Sequence, residues 1–361
     1  MDSRLLASLN FQASSTGDPV LWARTLCRAA SHFARQGSAA EALKSIAVVR
    51  SQFGHEIPPE VTCWLMLAEG VLHYFQKRPR EAYDRIQRAY GLAVALKIDS
   101  ALPSCAAWMA HTEFIESKYE PMAIHLEQAL TSAQPQDHQA MARAALVLAA
   151  AFHLANDFES ARPWYEQARQ RAATEGDETT ISAMLYNVAA MRAANARLAD
   201  TFGVQDSGET QRAAMELSSS LNYDAAIGST SLTILSQMLN GLILTLSKRY
   251  ADALKIFIEI DKSTSEIAEL SLITIDTAWC TANLGDFEKA WQFAMLAGNQ
   301  SREKSEPDDV AYINSRVSQI AELCGRSGAT SSYRATANAA LASHRQFQAT
   351  LRSRLKAIRF S

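Results

Sequence analysis

The sequence predicts an all-α protein: a solenoid of about seven helical hairpins, closed by a C-terminal pair of helices. Three observations carry this reading. A marker residue opens the second helix of each hairpin at Ala42, Ala82, Met122, Ala161, Ala213, Ala253 and Ala290, at intervals of 40, 40, 39, 52, 40 and 37. Twelve residues before it, six of the seven units carry Ala or Gly, at Ala30, Gly70, Ala110, Ala149, Gly241 and Ala278, so that two helices can approach closely. Only 14 Gly and 9 Pro stand among 361 residues, which leaves little chain for turns. A fixed period of this length marks hairpins that each bury an apolar face against the next.

The elements follow in order. Residues 1–18 hold a short apolar patch and then SSTGDP, read as a loose lead-in before a helix that starts near Pro19. The first hairpin has a helix over about 20–35, and Ser38 with Glu41 proposes a capping box for its partner. Pro58 and Pro59 break the chain before the second hairpin. In the clearest unit, 143–173, Asn156-Asp157 makes the turn with Asp157 as cap, and Phe158, Ala161, Tyr165 and Ala168 line the second helix. The fifth unit is irregular: 198–208, LADTFGVQDSG, reads as an insertion at the hairpin turn and accounts for the 52-residue interval. Residues 299–309 are a polar loop. From Tyr333 an apolar stripe runs through Ala337, Ala340, His344, Phe347, Leu351, Leu355 and Ile358; its first half is a cap and its second half an overhang. The expected organisation is a lead-in (1–18), one repeat body (19–300) and capping helices with a basic end (301–361).

The hairpin unit resembles the tetratricopeptide repeat, with a small residue and an aromatic in its first helix and Ala-x-x-x-apolar-x-x-Ala in its second. The resemblance covers roughly 20–300. It departs in two ways, since the period is near 40 rather than the usual 34 and the closing Pro is irregular, so it points to the long-helix members. Such arrays resemble the sensory halves of bacterial regulators. The resemblance implies a right-handed superhelix whose first helices line a concave face, and fold alone does not fix function.

Composition narrows the class. Hydrophobic residues make up 48% and charged residues 20%, which argues for a folded core rather than disorder. The first twenty residues lack the basic flank and long apolar core of a signal peptide, and no 18-residue apolar window occurs, so a cytoplasmic protein with no membrane span is expected. Five cysteines without a CxxC pair read as buried, reduced thiols. After Glu322 there is no acid, while Arg326, Arg334, Arg345, Arg352, Arg354, Lys356 and Arg359 make a basic end on an acidic body. Without a broad basic face, nucleic acid is not an expected partner.

The chain shows no strand-flanked GxGxxG, Walker A, HExxH, GxSxG or calcium loop. No cofactor, metal or catalytic residue is therefore assigned. His111, His125, His138 and His153 lack ligand spacing, and acids such as Glu113 and Glu116 read as solvated helix faces. The resemblance places the candidate partner-binding groove on the first helices, at Leu67, Val71, Tyr74, His111, Phe114, His153, Tyr186, Met238, Leu242 and Trp279. The Lys and Asn with which related co-chaperones clamp a terminal carboxylate are missing there. An apolar groove of this kind suits an amphipathic helix or a hydrophobic peptide. The expected function is a non-catalytic scaffold or sensory module of a bacterial regulatory system that binds a protein or peptide. The alternative is the regulatory domain of a longer signalling enzyme or transcription regulator, and an all-helical hydrolase ranks below both. Phe347, Leu351, Leu355 and Ile358 are the candidates for a homodimer contact through the last helix.

Overall fold

The computed structural model describes residues 3–205, 208–260, 267–300 and 306–359. Among these the chain forms seventeen helices and no strand: α1 (Arg4–Ser15), α2 (Pro19–Gln36), α3 (Ala39–Phe53), α4 (Pro59–Phe75), α5 (Pro79–Ala95), α6 (Leu102–Ile115), α7 (Tyr119–Ser132), α8 (His138–Leu154), α9 (Phe158–Glu175), α10 (Glu178–Thr201), α11 (Glu209–Ile227), α12 (Thr233–Leu246), α13 (Tyr250–Glu259), α14 (Ile267–Asn283), α15 (Phe287–Gln300), α16 (Pro307–Leu323) and α17 (Ser327–Lys356). None of them is long and apolar enough to cross a membrane. The chain divides into two compact units, one of Met1–Met184, Asn222–Leu232 and Leu351–Ser361, the other of Leu185–Leu221 and Thr233–Thr350. The division falls inside α10, α11 and α17, away from the boundaries at 18 and 300 that composition suggested.

One turn builds the hairpins. Five residues before each marker stand Gly37, Lys77, Ser117, Asn156, Gly208, Lys248 and Gly285, all in the left-handed region with φ between 55° and 92°. In six of these turns the next N–H reaches back five residues, as from Arg78 to the His73 carbonyl (3.0 Å) and from Asp157 to Phe152 (2.9 Å). This satisfies a carbonyl that the end of a helix leaves open. Gly325 repeats the turn between α16 and α17. The same geometry defeats the expected capping box, because the Ser38 N–H that Glu41 would engage already donates to Phe33 (2.8 Å), and Ser38 makes no side-chain cap. Asp157 does cap, accepting from the Ser160 N–H at 3.2 Å, and Asp18 accepts from Val20 at 2.8 Å with Pro19 in the first turn.

In the first unit α2–α3, α4–α5, α6–α7 and α8–α9 pair as hairpins, and α2 also packs on α4 and α6 on α8. The small residues are what permit contact: a Cβ on Gly70 would stand 2.5 Å from Ile86 Cγ1 and 3.2 Å from the Ala82 carbonyl. The lead-in is not loose. Ser3 caps α1, and Leu5 and Leu9, one turn apart, are buried against Ala29 and Phe33. The far end of the chain returns to this unit as well. Leu351, Leu355 and Ile358 are buried, Arg352 donates to the Ala155 carbonyl (2.7 Å), Arg354 to Glu120 (2.8 Å), and Lys356 pairs with Asp157 (3.0 Å). The expected overhang is therefore folded back, since an apolar stripe flanked by basic residues finds acidic turns of its own chain.

In the second unit α12–α13 and α14–α15 are hairpins, and α16 packs on both α14 and α15. The Gly241–Phe257 contact repeats Gly70–Ile86, since a Cβ on Gly241 would overlap the phenyl ring. The expected insertion at 198–208 is partly helix. With 24 residues, against 17 in α4 and α8, α10 absorbs 198–201, so the long interval is mostly added helix. Residues 206–207 of that segment lie outside the described residues, as do 301–305 of the polar loop.

Candidate functional site

The first unit holds a cleft of about 420 Å³, mouth included, that draws on α2, α4, α6 and α8 and on the start of α10. Its lining is more polar than the expected groove: Arg28, Ser31, Arg35, Ser104, Gln139, Arg143, Asp177 and Thr180 stand with Trp64, Leu67, Ala107 and Trp108. The helices that supply them are adjacent because their small residues let them pack. Six residues before Ala30, Gly70, Ala110 and Ala149 stand Arg24, Trp64, Ser104 and Arg143, one register shared by the four leading helices.

The charges of the cleft are mostly matched. Arg35 Nη1 donates to both Asp177 oxygens (2.9 and 2.8 Å) and to Thr180 Oγ1 (2.9 Å). Thr179 and Thr180 also donate to Asp177 (2.8 and 2.9 Å). Burial alone would raise Asp177, yet Arg35 and His32 outweigh it and hold its carboxyl well below the usual range. Arg28 pairs with Glu175, and its Nε donates to Gln139 Oε1 at 2.9 Å. Arg143 is the exception. It is 6% exposed, lies over the Trp108 ring at 4.4 Å, and has no carboxylate within ion-pair distance among the described residues. Burial first, then the charge of Arg35, lowers it to about 10 against the pull of Asp177 and Tyr74. Arg24 stacks in the same way on Trp64 at 5.4 Å.

The residues assigned to a groove distribute as follows. Leu67 lines the cleft, and His111 and Tyr74 make edge contacts with Trp108 just beside it (5.2 and 6.3 Å). Val71 is wholly buried core, Phe114 meets Tyr119 edge-on, and His153 is buried against Phe158 and Tyr165. Glu113, read as solvated, is instead 1% exposed and 2.7 Å from His125 Nδ1, because it faces α7 within its hairpin. Tyr186, Met238, Leu242 and Trp279 belong to the second unit, where Leu242 is buried and Tyr186 and Met238 flank cores. Of the dimer candidates, Leu351, Leu355 and Ile358 are covered by the chain itself and Phe347 is half-buried, which removes the exposed stripe that motivated pairing. Cys27, Cys63, Cys105 and Cys280 are buried thiols and Cys324 is half-buried.

Trp279 belongs to a buried network that the sequence did not signal. Arg316 lies over its ring at 4.2 Å and pairs with Asp200, Arg197 pairs with Asp309 at 3.1 Å and lies over Tyr312 at 4.5 Å, and Tyr312 donates to Asp276. Burial raises Asp276 despite Arg197 and Tyr312. Burial also pushes Asp309 up to about 7 against the pull of Arg197, with Asp308 and Glu306 adding to the rise. Each acid is held by a fixed partner, and neither lines the cleft. No protein-family model matches the chain, and no curated protein matches it either.

Proposed function

We propose that the chain is a non-catalytic helical-repeat module of the long-helix tetratricopeptide type, acting in the cytoplasm as the sensory or scaffolding part of a regulatory system. It binds a peptide or protein segment at the cleft of the first unit. The repeated left-handed turn and the recurring small-residue contacts support the repeat reading.

One observation carries the binding reading. Three successive leading helices, α4, α6 and α8, present Trp64, Ser104 and Arg143 of one register to a common cleft, and Arg143 is a buried cation with no carboxylate within ion-pair distance among the described residues. Screening a peptide array with the purified chain, followed by titration of each hit through tryptophan emission, tests it. Saturable one-to-one binding that Trp108→Ala weakens by about 1–3 kcal/mol is the expected result. Hits that bind equally well to the variant, or turnover of a small substrate, would overturn it.

A further inference from the structure

Three donor groups of the cleft stand unmatched among the described residues. The Trp64 indole N–H is buried and has no partner, and an indole nitrogen can only donate. Gln139 is oriented by its neighbour: Arg28 Nε–H must meet an oxygen, so the amide oxygen turns to Arg28 and the buried NH₂ is left without a partner. Arg143 is a third donor, nine-tenths buried, with its guanidinium carbon 4.4 Å from the centre of the Trp108 ring. On the opposite wall the oxygens of Asp177 are taken by Arg35, Thr179 and Thr180. A group that satisfies this set must accept hydrogen bonds.

Charge decides which acceptor. Arg28 cancels Glu175 and Arg35 cancels Asp177, leaving the single positive charge of Arg143 among the lining residues. One buried positive charge without a counter-ion calls for a monoanion. A phosphate dianion would overshoot it. A guanidinium suits the two parallel bonds of a carboxylate.

We propose that Arg143, the Trp64 indole N–H and the Gln139 amide form a carboxylate-binding site, which takes either the C-terminus of a bound peptide or a small monocarboxylic acid. The proposal rests on the binding-module reading for its peptide source only. The lowered acidity range of Arg143 agrees with a cation that lacks its counter-ion, and a bound carboxylate would restore it.

The test uses the full chain labelled with ¹⁵N, following the indole N–H resonance of Trp64, assigned by its loss in Trp64→Phe. The probes are acetate, inorganic phosphate, and an N-acetylated leucine-rich hexapeptide with either a free C-terminus or a C-terminal amide. Acetate at roughly 50 mM exceeds the millimolar Kd that so small a ligand allows. The expected result is a shift with acetate and with the free-acid peptide, and binding weaker by about 10- to 100-fold for the amide and for Arg143→Met. A shift with acetate but with neither peptide supports the carboxylate site, assigns it to a small acid and sinks the peptide reading. Equal binding of acid and amide peptides without an acetate shift overturns the carboxylate site and leaves the binding module standing. A larger response to phosphate than to acetate, or no response to any probe, overturns the proposal. Should Arg143→Met not fold, the acid-against-amide comparison on the unaltered chain decides alone.

Discussion

Each unit buries an arginine against a tryptophan, Arg143 over Trp108 in the first and Arg316 over Trp279 in the second, at 4.4 and 4.2 Å. What surrounds them differs. Arg316 is paired with Asp200, and its neighbour Arg197 with Asp309, while Asp276 and Tyr312 complete a closed network. Among the described residues Arg143 has no carboxylate within ion-pair distance, and the Trp64 and Gln139 N–H groups that line the same cleft have no partner. The same pair of residue types is thus a fastener where carboxylates close it and a receptor surface where they are withheld. A buried charge left uncompensated costs stability and persists where something else neutralises it.

The largest effect should come from breaking a closed pair inside the open unit. Asp177→Ala strands Arg35, 6% exposed, beside Arg143, and is expected to cost about 3–5 kcal/mol in chemical denaturation. If the loss is below about 1 kcal/mol, the matched charges of the cleft do not hold it together.

Much of this was legible in the sequence, and the limits have physical reasons. The hairpins were legible because close helix contact tolerates only small residues, and Gly70 and Gly241 sit where a side chain would strike Ile86 and Phe257. The shared turn was not, because its left-handed position is filled by Gly, Lys, Ser and Asn alike, and the sixfold hydrogen bond that fixes it is made by backbone. The cleft was half-legible. Of the expected groove residues Leu67 lines the cleft, whereas Trp64, one turn further toward the N-terminus, and its counterparts Ser104 and Arg143 were outside that set. Arg35–Asp177 and Arg352–Ala155 join residues 142 and 197 apart, and no local pattern reports such pairs. That is why the folded-back tail was missed.

Acidity offers a gentler way to separate the units. Asp177 lies well below its unfolded value, so its contribution is present above about pH 4 and is lost as pH falls through the folded value. Asp309 lies above its unfolded value, at about 7, and Asp276 is raised too; their contribution is present below about pH 4 and is lost as pH rises toward 7. Hydrogen exchange, corrected for its intrinsic pH dependence, should show α14 and α16 better protected at about pH 5 than at about pH 7.5. At still lower pH the start of α10 should open first. Parallel changes in both units would contradict the contrast between them.

The most direct measurement is the smallest effect. Arg143→Met keeps the bulk against Trp108 and removes a charge that no described residue pairs within ion-pair distance, so denaturant unfolding should show stability unchanged within about 1 kcal/mol, or raised. A loss of about 3 kcal/mol or more would show that Arg143 holds the fold together as Arg316 does, and that the open cation is not a binding group.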